Sequence, residues 1–428
     1  MNISRRSFVI GGTAAVAAAG MAPMLSSCAT GTKSGLDFAK FETNGVKTLN
    51  TGLHDANGSG VPTKLYNITN KQGAELCVTN FGARLVSLMM PDKNGDFKDM
   101  ILGFDDIRKY ANYDEMPMNF YGATCGRFGN RIKDGKWTYK GQTYQVDINE
   151  NDNSLHGGKF GFHNQTFEVK DYAPSSYIQL ELISEMGEMG FPGRMTVNIT
   201  YTLNDNNTVG VFYEASTTQS CPVNMLSHAF WCPSGDPSQP ITEQNLTIYS
   251  DAYTPIDNEL IPTGEIASIP ENSVFDFFCN GEGKLIGKDI NANDQQLKNG
   301  KGYDHNFVIM SNDKLASKGV SFDGKFEITD DGSHMLTDKA QLAAKVSSPD
   351  SGITMTITTS EPAIQFFDFH NMGDPVGKHG KTYGKYAALA LEPQHFPDSP
   401  NQPNFPNTIV KPGEVYRSKS EFHFAVQD

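Results

Sequence analysis

The sequence predicts an all-β protein whose main part is one large antiparallel β-sandwich. Apolar and polar residues alternate with period two in several stretches of the 428-residue chain, which is the pattern of a half-buried strand. The spacing typical of an amphipathic helix is almost absent, so nothing indicates the strand–helix alternation of a parallel α/β sheet. No repeat of about 20 to 50 residues indicates a propeller or a solenoid.

Two hairpins show the alternation most clearly. Residues 195–203 and 209–213 alternate on either side of a cluster of Asn and Asp, residue types that favour turns. Residues 137–139 and 144–146 flank a turn that contains glycine. Residues 353–358 alternate in the same way and predict a further strand.

One domain is predicted for residues 60–428. Hydrophobic residues make up 38% of the chain, and the 27 Phe and 16 Tyr residues supply enough apolar surface for a large core. No linker rich in Pro, Ser and Gly splits this range, and all-β folds of more than about 200 residues commonly form one domain. Residues 29–59 are predicted to be a tether and N-terminal lead-in, because the stretch up to about Lys40 is small and polar.

Residues 1–28 have the parts of an export signal that ends in a lipobox. The pair Arg5-Arg6 resembles a twin-arginine signal, and an apolar stretch runs from Val9 to Met24. Leu25-Ser26-Ser27-Cys28 then resembles a bacterial lipobox, in which the cysteine is lipidated and becomes the first residue of the mature protein. We therefore expect an exported lipoprotein of the cell envelope, in the periplasm or at the outer membrane. The alternative is an ordinary signal peptide with an incidental cysteine.

The charge of the chain argues against several classes of partner. The formal net charge is −14, from 35 basic and 49 acidic residues, and no run of Lys or Arg forms a basic patch. An acidic surface repels phosphate backbones, so nucleic-acid binding is disfavoured. After residue 27 no stretch of about 18 apolar residues occurs, so membrane contact is expected only through a lipid anchor at Cys28.

The other cysteines do not suggest a disulfide framework. They are odd in number, contain no CxxC pair and have no regular spacing: Cys77, Cys125, Cys221, Cys232 and Cys279. This argues against a structural zinc site as well, and no metal ligand set is predicted. Most of them are predicted to be buried thiols. Only Cys221 and Cys232 lie close enough in sequence to suggest a disulfide, and we consider it the less favoured state.

One residue stands out as a candidate for proton transfer. Glu392 ends the apolar run Tyr386–Leu391, which predicts a buried strand. An unpaired carboxylate there would be costly, so Glu392 is either a paired structural acid or a base whose pKa is tuned by burial. His228 lies among Phe230 and Trp231, where a lone histidine is more often a hydrogen-bonded interior residue.

Several segments place polar residues beside glycine, proline or aromatic residues. In chain order these segments are Asn80–Ala83, Gly126–Ile132, Leu155–Gly158, Pro222–His228, Tyr253–Pro255, Ile261–Glu265, Tyr303–Asn306, Gln365–Phe366, Glu392–Gln394 and Phe396–Asn401. Each segment is a weak signal alone, but in this order they resemble the aldose 1-epimerase, or galactose mutarotase, family over about residues 60–427. The resemblance implies a β-supersandwich with an open cleft for one hexose. It also implies interconversion of the α and β anomers of that sugar.

The resemblance implies that Glu392 is the base and His228 the acid, with His156 assisting near the ring oxygen or the anomeric oxygen. The chemistry fits these residue types, because inverting the anomeric carbon requires one group to remove the proton of the C1 hydroxyl and another to protonate the ring oxygen. Neither a hydride, a phosphate nor a metal takes part. No cofactor is therefore expected, and the sequence contains no placed dinucleotide fingerprint or P-loop.

The resemblance also assigns the residues that hold the sugar, namely Asn130, Arg131, Asp304 and Gln365. A carboxylate accepts and a guanidinium donates hydrogen bonds in fixed directions, which suits vicinal hydroxyl groups. Without the resemblance, Asp304 would be read as a turn residue. Phe275 and Phe396 are candidates for stacking on the sugar, although core packing is the favoured explanation for either residue alone.

Two departures from the family pattern affect the expected substrate preference. Ser227 stands where the family commonly has Asn, and Phe367 stands where it commonly has Tyr. Three alternatives stay open at this point. One is a non-catalytic glycan-binding envelope lipoprotein, the second is a glycosidase that uses Glu392 and Asp304 as paired carboxylates, and the third is a hexose-6-phosphate epimerase, which would need a basic cluster. The oligomeric state and the preferred aldose are not predicted.

Overall fold

The computed structural model describes residues 32–43, 62–111, 119–326 and 340–427. These residues fall in one compact unit. The predicted export signal, with its candidate lipidation site Cys28, lies outside the described residues. In the described part of the chain, no helix is long and apolar enough to cross a bilayer.

The described residues form strands along most of their length, as the alternation predicts. In chain order the strands are β1 Leu65–Thr69, β2 Glu75–Thr79, β3 Arg84–Pro91, β4 Phe97–Asp99, β5 Ala123–Cys125, β6 Arg131–Ile132, β7 Lys136–Tyr139, β8 Gln142–Gln145, β9 Ser154–Leu155, β10 Glu168–Ala173, β11 Tyr177–Ser184, β12 Met195–Leu203, β13 Thr208–Thr217, β14 Cys221–Pro222, β15 Leu226–His228, β16 Phe230–Trp231, β17 Asn245–Ile248, β18 Ser250–Thr254, β19 Ala267–Ser268, β20 Lys284–Leu285, β21 Asp304–Ile309, β22 Gln341–Ser347, β23 Ile353–Thr359, β24 Ala363–Phe367, β25 Leu389–Gln394, β26 Ile409–Val410 and β27 Val415–Val426. The α-helices of this part are short, namely α1 Ile107–Ala111, α2 Gln295–Gly300 and α3 Asn312–Ser317.

Three sheets carry most of these strands. A nine-stranded sheet has the order β10-β11-β12-β13-β27-β23-β22-β17-β20, a six-stranded sheet has the order β16-β25-β24-β21-β18-β19, and a four-stranded sheet has the order β1-β2-β3-β4. The strand pairings in these sheets are antiparallel. The all-β antiparallel prediction is therefore confirmed. So are the hairpins β12–β13 and β7–β8 and the strand β23.

The main core lies where the nine-stranded and six-stranded sheets face each other. Along β12 the burial alternates, so that Val197 and Ile199 join the same apolar cluster as Leu391 of β25. The ring of Trp231 on β16 lies 4.8 Å from that of Phe422 on β27, which ties the two sheets together. Each large apolar side chain that is fully buried contributes roughly 1.5 to 3 kcal/mol. This core fixes one face of the six-stranded sheet and leaves its other face for polar residues.

Residues 32–43, which fall in the predicted tether and lead-in, pack against the domain. Leu36 is 1% exposed and Phe41 is not exposed, and both lie in a second apolar cluster with Leu65. The Lys33 N–H also donates to a Glu75 carboxylate oxygen at 2.6 Å. The described part of the lead-in therefore belongs to the folded unit.

The strand predicted from residues 386–391 begins later than the sequence suggests. Tyr386 has φ +63°, a left-handed conformation that cannot continue an extended strand. Strand β25 runs from Leu389 to Gln394. Glu392 consequently lies inside the strand, opposite Gln365 of β24, rather than at its end.

The prediction of buried thiols is confirmed. Cys77, Cys125, Cys221 and Cys232 are buried, Cys279 is partly buried, and all five thiols are free. The less favoured disulfide between Cys221 and Cys232 is therefore not formed.

Candidate active site

Three of the predicted site residues lie on neighbouring strands of the six-stranded sheet, on the face opposite the main core. Glu392 of β25 is directly opposite Gln365 of β24. The Gln365 side-chain amide donates to Oδ1 of Asp304, on β21, at 2.6 Å. Side chains alternate between the two faces of a strand, so the burial of Leu391 in the core directs Glu392 to this polar face.

His228 reaches the same place from a different sheet. It ends β15, which pairs with β5. Its Nε2 lies 3.2 Å from Oε1 of Glu392, and the two side chains are 9% and 3% exposed. Burial lowers the pKa of His228 to about 4. Burial, and next the charge of Asp304, raise the pKa of Glu392 well above its usual range. Both pKa shifts favour the uncharged forms of His228 and Glu392. In its resting form the pair therefore carries one proton.

His156 lies beside this pair and is held in one tautomer. Its ring is 5.0 Å from the ring of His228. Its Nδ1 accepts a hydrogen bond from the backbone N–H of Asn130 at 3.1 Å, so the proton of the neutral ring is on Nε2. Burial is the largest effect that lowers the pKa of His156 well below its usual value. His156 is therefore a neutral hydrogen-bond donor.

A glycine explains why the segments that carry Asn130 and His156 occur together. Gly157 has φ +87°, and a Cβ built on it would lie 1.9 Å from the carbonyl oxygen of Gly126. No side chain fits at that distance, so only glycine lets the two segments approach. The close approach places the backbone of Asn130 against the ring of His156.

Arg131 is held by two carboxylates. Its Nε and Nη2 donate to the two oxygens of Glu150 at 2.6 and 2.8 Å, a bidentate arrangement. Its Nη1 lies 3.8 Å from Oδ2 of Asp304. Burial alone would lower the pKa of Arg131, but Glu150 and Asp304 outweigh it and raise this pKa. Burial raises the pKa of Asp304, while Arg131 and the hydrogen bond from Gln365 oppose that shift.

These residues line one open cleft of about 670 Å³. The predicted site residues of the domain that contribute to it are Asn130, Arg131, His156, His228, Asp304, Gln365 and Glu392. Phe275 and Phe396 are not among its lining residues. Phe275 stacks on Tyr253 with ring centres 4.7 Å apart, and Phe396 packs on Phe405 at 5.1 Å. Core packing is the reading that the structure supports for both rings.

Several lining residues were not identified from the sequence. The ring centre of Phe120 lies 4.6 Å from that of His156 and 5.5 Å from that of His228, so an apolar ring packs against both imidazoles at the cleft. Glu150 lies in a polar stretch that reads as a turn, so no spacing marks it as the partner of Arg131. His370 also lines the cleft, although it belongs to none of the motifs.

The two departures from the family pattern have different surroundings. Ser227 is 5% exposed, and no hydrogen-bond partner is recorded for its hydroxyl among the described residues. Phe367 lines the cleft and lies 5.1 Å from the ring of His370. Phe367 therefore gives this part of the cleft an apolar wall where a tyrosine would supply a hydroxyl.

Comparison with known proteins identifies the family. A model of aldose 1-epimerases matches residues 64–423. The chain belongs to the aldose 1-epimerase family. A galactose mutarotase from Rattus norvegicus is 33% identical over 350 residues, which cover 82% of this chain and 90% of that protein. An aldose 1-epimerase from Escherichia coli K12 is 31% identical over 370 residues, which cover 86% and 97%.

A solved structure supports the same family. An aldose epimerase homologue from C. elegans superposes with a TM-score of 0.72 at 28% identity, over 86% of this chain and 100% of that one. The family resemblance and the supersandwich fold predicted from the motifs are confirmed. Family membership makes the chain an aldose 1-epimerase, an isomerase. Nothing in these comparisons favours the non-catalytic glycan-binding alternative.

Proposed function

We propose that this enzyme interconverts the α and β anomers of free aldohexoses such as galactose or glucose, with Glu392 as base and His228 as acid. The observation that carries the proposal is the 3.2 Å contact between the Glu392 carboxyl and the His228 imidazole at the cleft. The relatives from rat and E. coli, a galactose mutarotase and an aldose 1-epimerase, support an aldose as the substrate.

The reaction uses the one proton that the pair shares. With the proton on His228, Glu392 is a carboxylate and removes the proton of the C1 hydroxyl. The bond from C1 to the ring oxygen breaks, C1 becomes an aldehyde, and the ring oxygen takes the proton from His228. Rotation about the C1–C2 bond exposes the other face of the aldehyde, and the reverse steps close the ring as the opposite anomer. Positioned proton transfer of this kind contributes about 10² to 10⁴ in rate.

The other polar residues of the cleft hold the sugar. His156 donates from Nε2, where its neutral tautomer carries the proton, to the ring oxygen or the anomeric oxygen. Arg131 and Asp304 donate to and accept from neighbouring hydroxyl groups. Their mutual contact and the Gln365–Asp304 hydrogen bond hold them in place before the sugar arrives. Preformed groups of this kind save the cost of ordering side chains on binding.

Polarimetry on freshly dissolved α-galactose and α-glucose tests the proposal. The protein is expected to speed the approach to the equilibrium rotation in proportion to its concentration, beyond the rate in buffer. An unchanged rate for every free aldohexose tried, with sugar binding retained, would contradict the proposal and favour a binding protein.

The pH profile of kcat/KM is expected to be bell-shaped. Below about pH 4 a second proton binds the pair through His228, so no base is available. As pH rises through the raised pKa of Glu392, the shared proton is lost and no acid remains. The rate is measured by polarimetry across pH 3 to 10, after subtraction of the buffer rate. A profile that changes on one side only across this range would contradict the shared proton.

We also propose that the mature protein is attached to the cell envelope by a lipid on Cys28. The lipobox-like sequence Leu25-Ser26-Ser27-Cys28 and the pair Arg5-Arg6 support this proposal. Cys28→Ala is expected to abolish metabolic labelling with a fatty acid and to move the protein from the membrane fraction to the soluble fraction. The matched control Cys279→Ala should keep the label. Labelling that survives Cys28→Ala, or is absent from the parent, would contradict the lipid attachment.

A further inference from the structure

The chain turns sharply where β24 reaches the cleft. Phe369 has φ +58°, which is unfavourable for a bulky side chain, and it is fully buried. Its ring packs 5.0 Å from Phe230, and this packing holds the turn. Two residues of the turn have different environments as a result, because Phe369 lies in an apolar cluster and His370 lines the cleft. Such outliers persist where the surrounding structure enforces them, and they concentrate at functional sites.

Asp368 holds the ring of His370. The Asp368 side chain is not exposed, and its Oδ1 lies 2.5 Å from Nδ1 of His370. Its Oδ2 accepts the backbone N–H of Tyr303 at 3.0 Å. Among the residues that the structure describes, His370 is the ion-pair partner of Asp368. A buried carboxylate needs such a donor, so the proton of Nδ1 faces Asp368.

Gly302 leaves room for this pair. A Cβ on Gly302, which has φ +150°, would lie 2.7 Å from Nδ1 of His370 and 2.8 Å from Oδ2 of Asp368. Any larger residue would displace one of the two side chains. Phe369, Asp368 and Gly302 together therefore fix the imidazole ring of His370 at the cleft.

The ring atom that remains for a ligand is Nε2 of His370. No partner for it is recorded in the described part of the chain, whereas Nδ1 is occupied by Asp368. His370 shares the cleft with Asp304 and Gln365. It also lies close enough to Asp304 to affect that carboxyl electrostatically. An imidazole nitrogen here can bond a sugar hydroxyl in either protonation state, because a hydroxyl both donates and accepts.

We propose that His370, held by Asp368, is a further substrate-binding residue whose Nε2 makes a hydrogen bond to one particular hydroxyl of the aldose and so contributes to sugar preference. This inference rests on the proposed function, because it takes an aldose as the ligand. In this inference Asp368 is a positioning residue, which acts by holding His370.

Two substitutions of His370 separate the contact with the sugar from the contact with Asp368. The side-chain nitrogen of His370→Asn takes the place of Nδ1, so the donor to Asp368 is kept and Nε2 is removed. The side-chain nitrogen of His370→Gln takes the place of Nε2, so the cleft contact is kept and the donor to Asp368 is removed. Dissociation constants for galactose and its monodeoxy analogues are measured by calorimetry with each variant in the Glu392→Gln background.

His370→Asn is expected to raise the Kd of galactose about tenfold, and His370→Gln to raise it less. For one monodeoxy analogue, the one that lacks the hydroxyl bound by Nε2, His370→Asn should leave Kd unchanged. An equal loss for every analogue, or no loss for galactose, would overturn the inference. His395→Gln is the matched control, because His395 pairs with buried Glu361 at 2.6 Å outside the cleft. It should not change the relative Kd values.

Asp368→Asn tests the positioning residue in the active enzyme. It is expected to raise KM and to leave kcat within about twofold, because the contact of His370 is made in both the ground state and the transition state. A fall in kcat at constant KM would overturn the assignment of Asp368. The binding measurements do not depend on turnover. A parent that binds galactose without speeding its interconversion would therefore contradict the proposed function and leave the His370 test intact.

Discussion

Glu392→Gln is expected to lower kcat for anomer interconversion by about 10³-fold, within the range of roughly 10² to 10⁴ that positioned proton transfer contributes. The amide cannot accept the C1 proton, but it has nearly the same shape as the carboxyl group. The Kd of galactose should therefore change by less than about threefold. Polarimetry with parent and variant at equal concentration gives the rates, and saturation-transfer NMR or calorimetry gives the binding.

Glu361→Gln supplies a matched control for that experiment. Glu361 is also a buried carboxylate next to a histidine, with Oε2 2.6 Å from Nδ1 of His395. It does not line the cleft. Its replacement should lower the free energy of unfolding and leave kcat within about twofold. Similar losses of kcat in Glu361→Gln and Glu392→Gln would mean that Glu392 acts on stability rather than on proton transfer.

Arg127→Met is expected to lower the free energy of unfolding by about 3 to 5 kcal/mol, because it removes the partner of several buried groups. Arg127 is 2% exposed. Its Nη1 donates to the carbonyl oxygens of Pro192 and Gly193, each at 2.9 Å. Its Nη2 donates to those of Ser184 and Glu185 at 3.0 and 2.7 Å, and its Nε donates to the Ser184 hydroxyl at 3.0 Å. Methionine donates no hydrogen bond, so all of these interior hydrogen bonds would be lost.

Urea denaturation of parent and variant measures the effect. Arg194→Met is the matched control, since Arg194 is 49% exposed and its ion pair with Glu185 is on the surface. Removing an exposed pair changes stability by less than about 1 kcal/mol. A loss for Arg127→Met as small as that for Arg194→Met would contradict the structural role of Arg127.

The two arginines of the segment Gly126–Ile132 show what the sequence could not separate. Arg127 binds backbone carbonyls in the interior, while Arg131 binds Glu150 at the cleft. Both are arginines of one short segment. Their roles differ because strand β6 places only Arg131 at the cleft. The family resemblance selected Arg131, but the residues alone gave no reason to prefer it.

Strands were predictable where one face meets the core. The alternation of residues 195–203 matches the burial of β12, since one side of that strand packs between the sheets. The start of β25 was not predictable, because the apolar residues before Leu389 read as strand while Tyr386 adopts a left-handed turn. Periodicity reports which residues are buried, but it does not report a positive φ.

The site could be predicted from the sequence only in part, because it depends on contacts between distant parts of the chain. Nothing local to β15 or β25 indicates that His228 and Glu392 meet, because each pairs with a different strand. The motifs predicted the set of residues, and the fold brings them to one cleft. Asp368 and His370 belong to no motif, so only the side-chain positions reveal them.

A crystal structure of the Glu392→Gln protein with bound galactose tests the central claim most directly. The account predicts one sugar in the cleft, with its anomeric hydroxyl within about 3 Å of the side chain at position 392 and its ring oxygen within about 3 Å of Nε2 of His228. A pyranose bound with its anomeric carbon turned away from both residues, or outside the cleft, would contradict it.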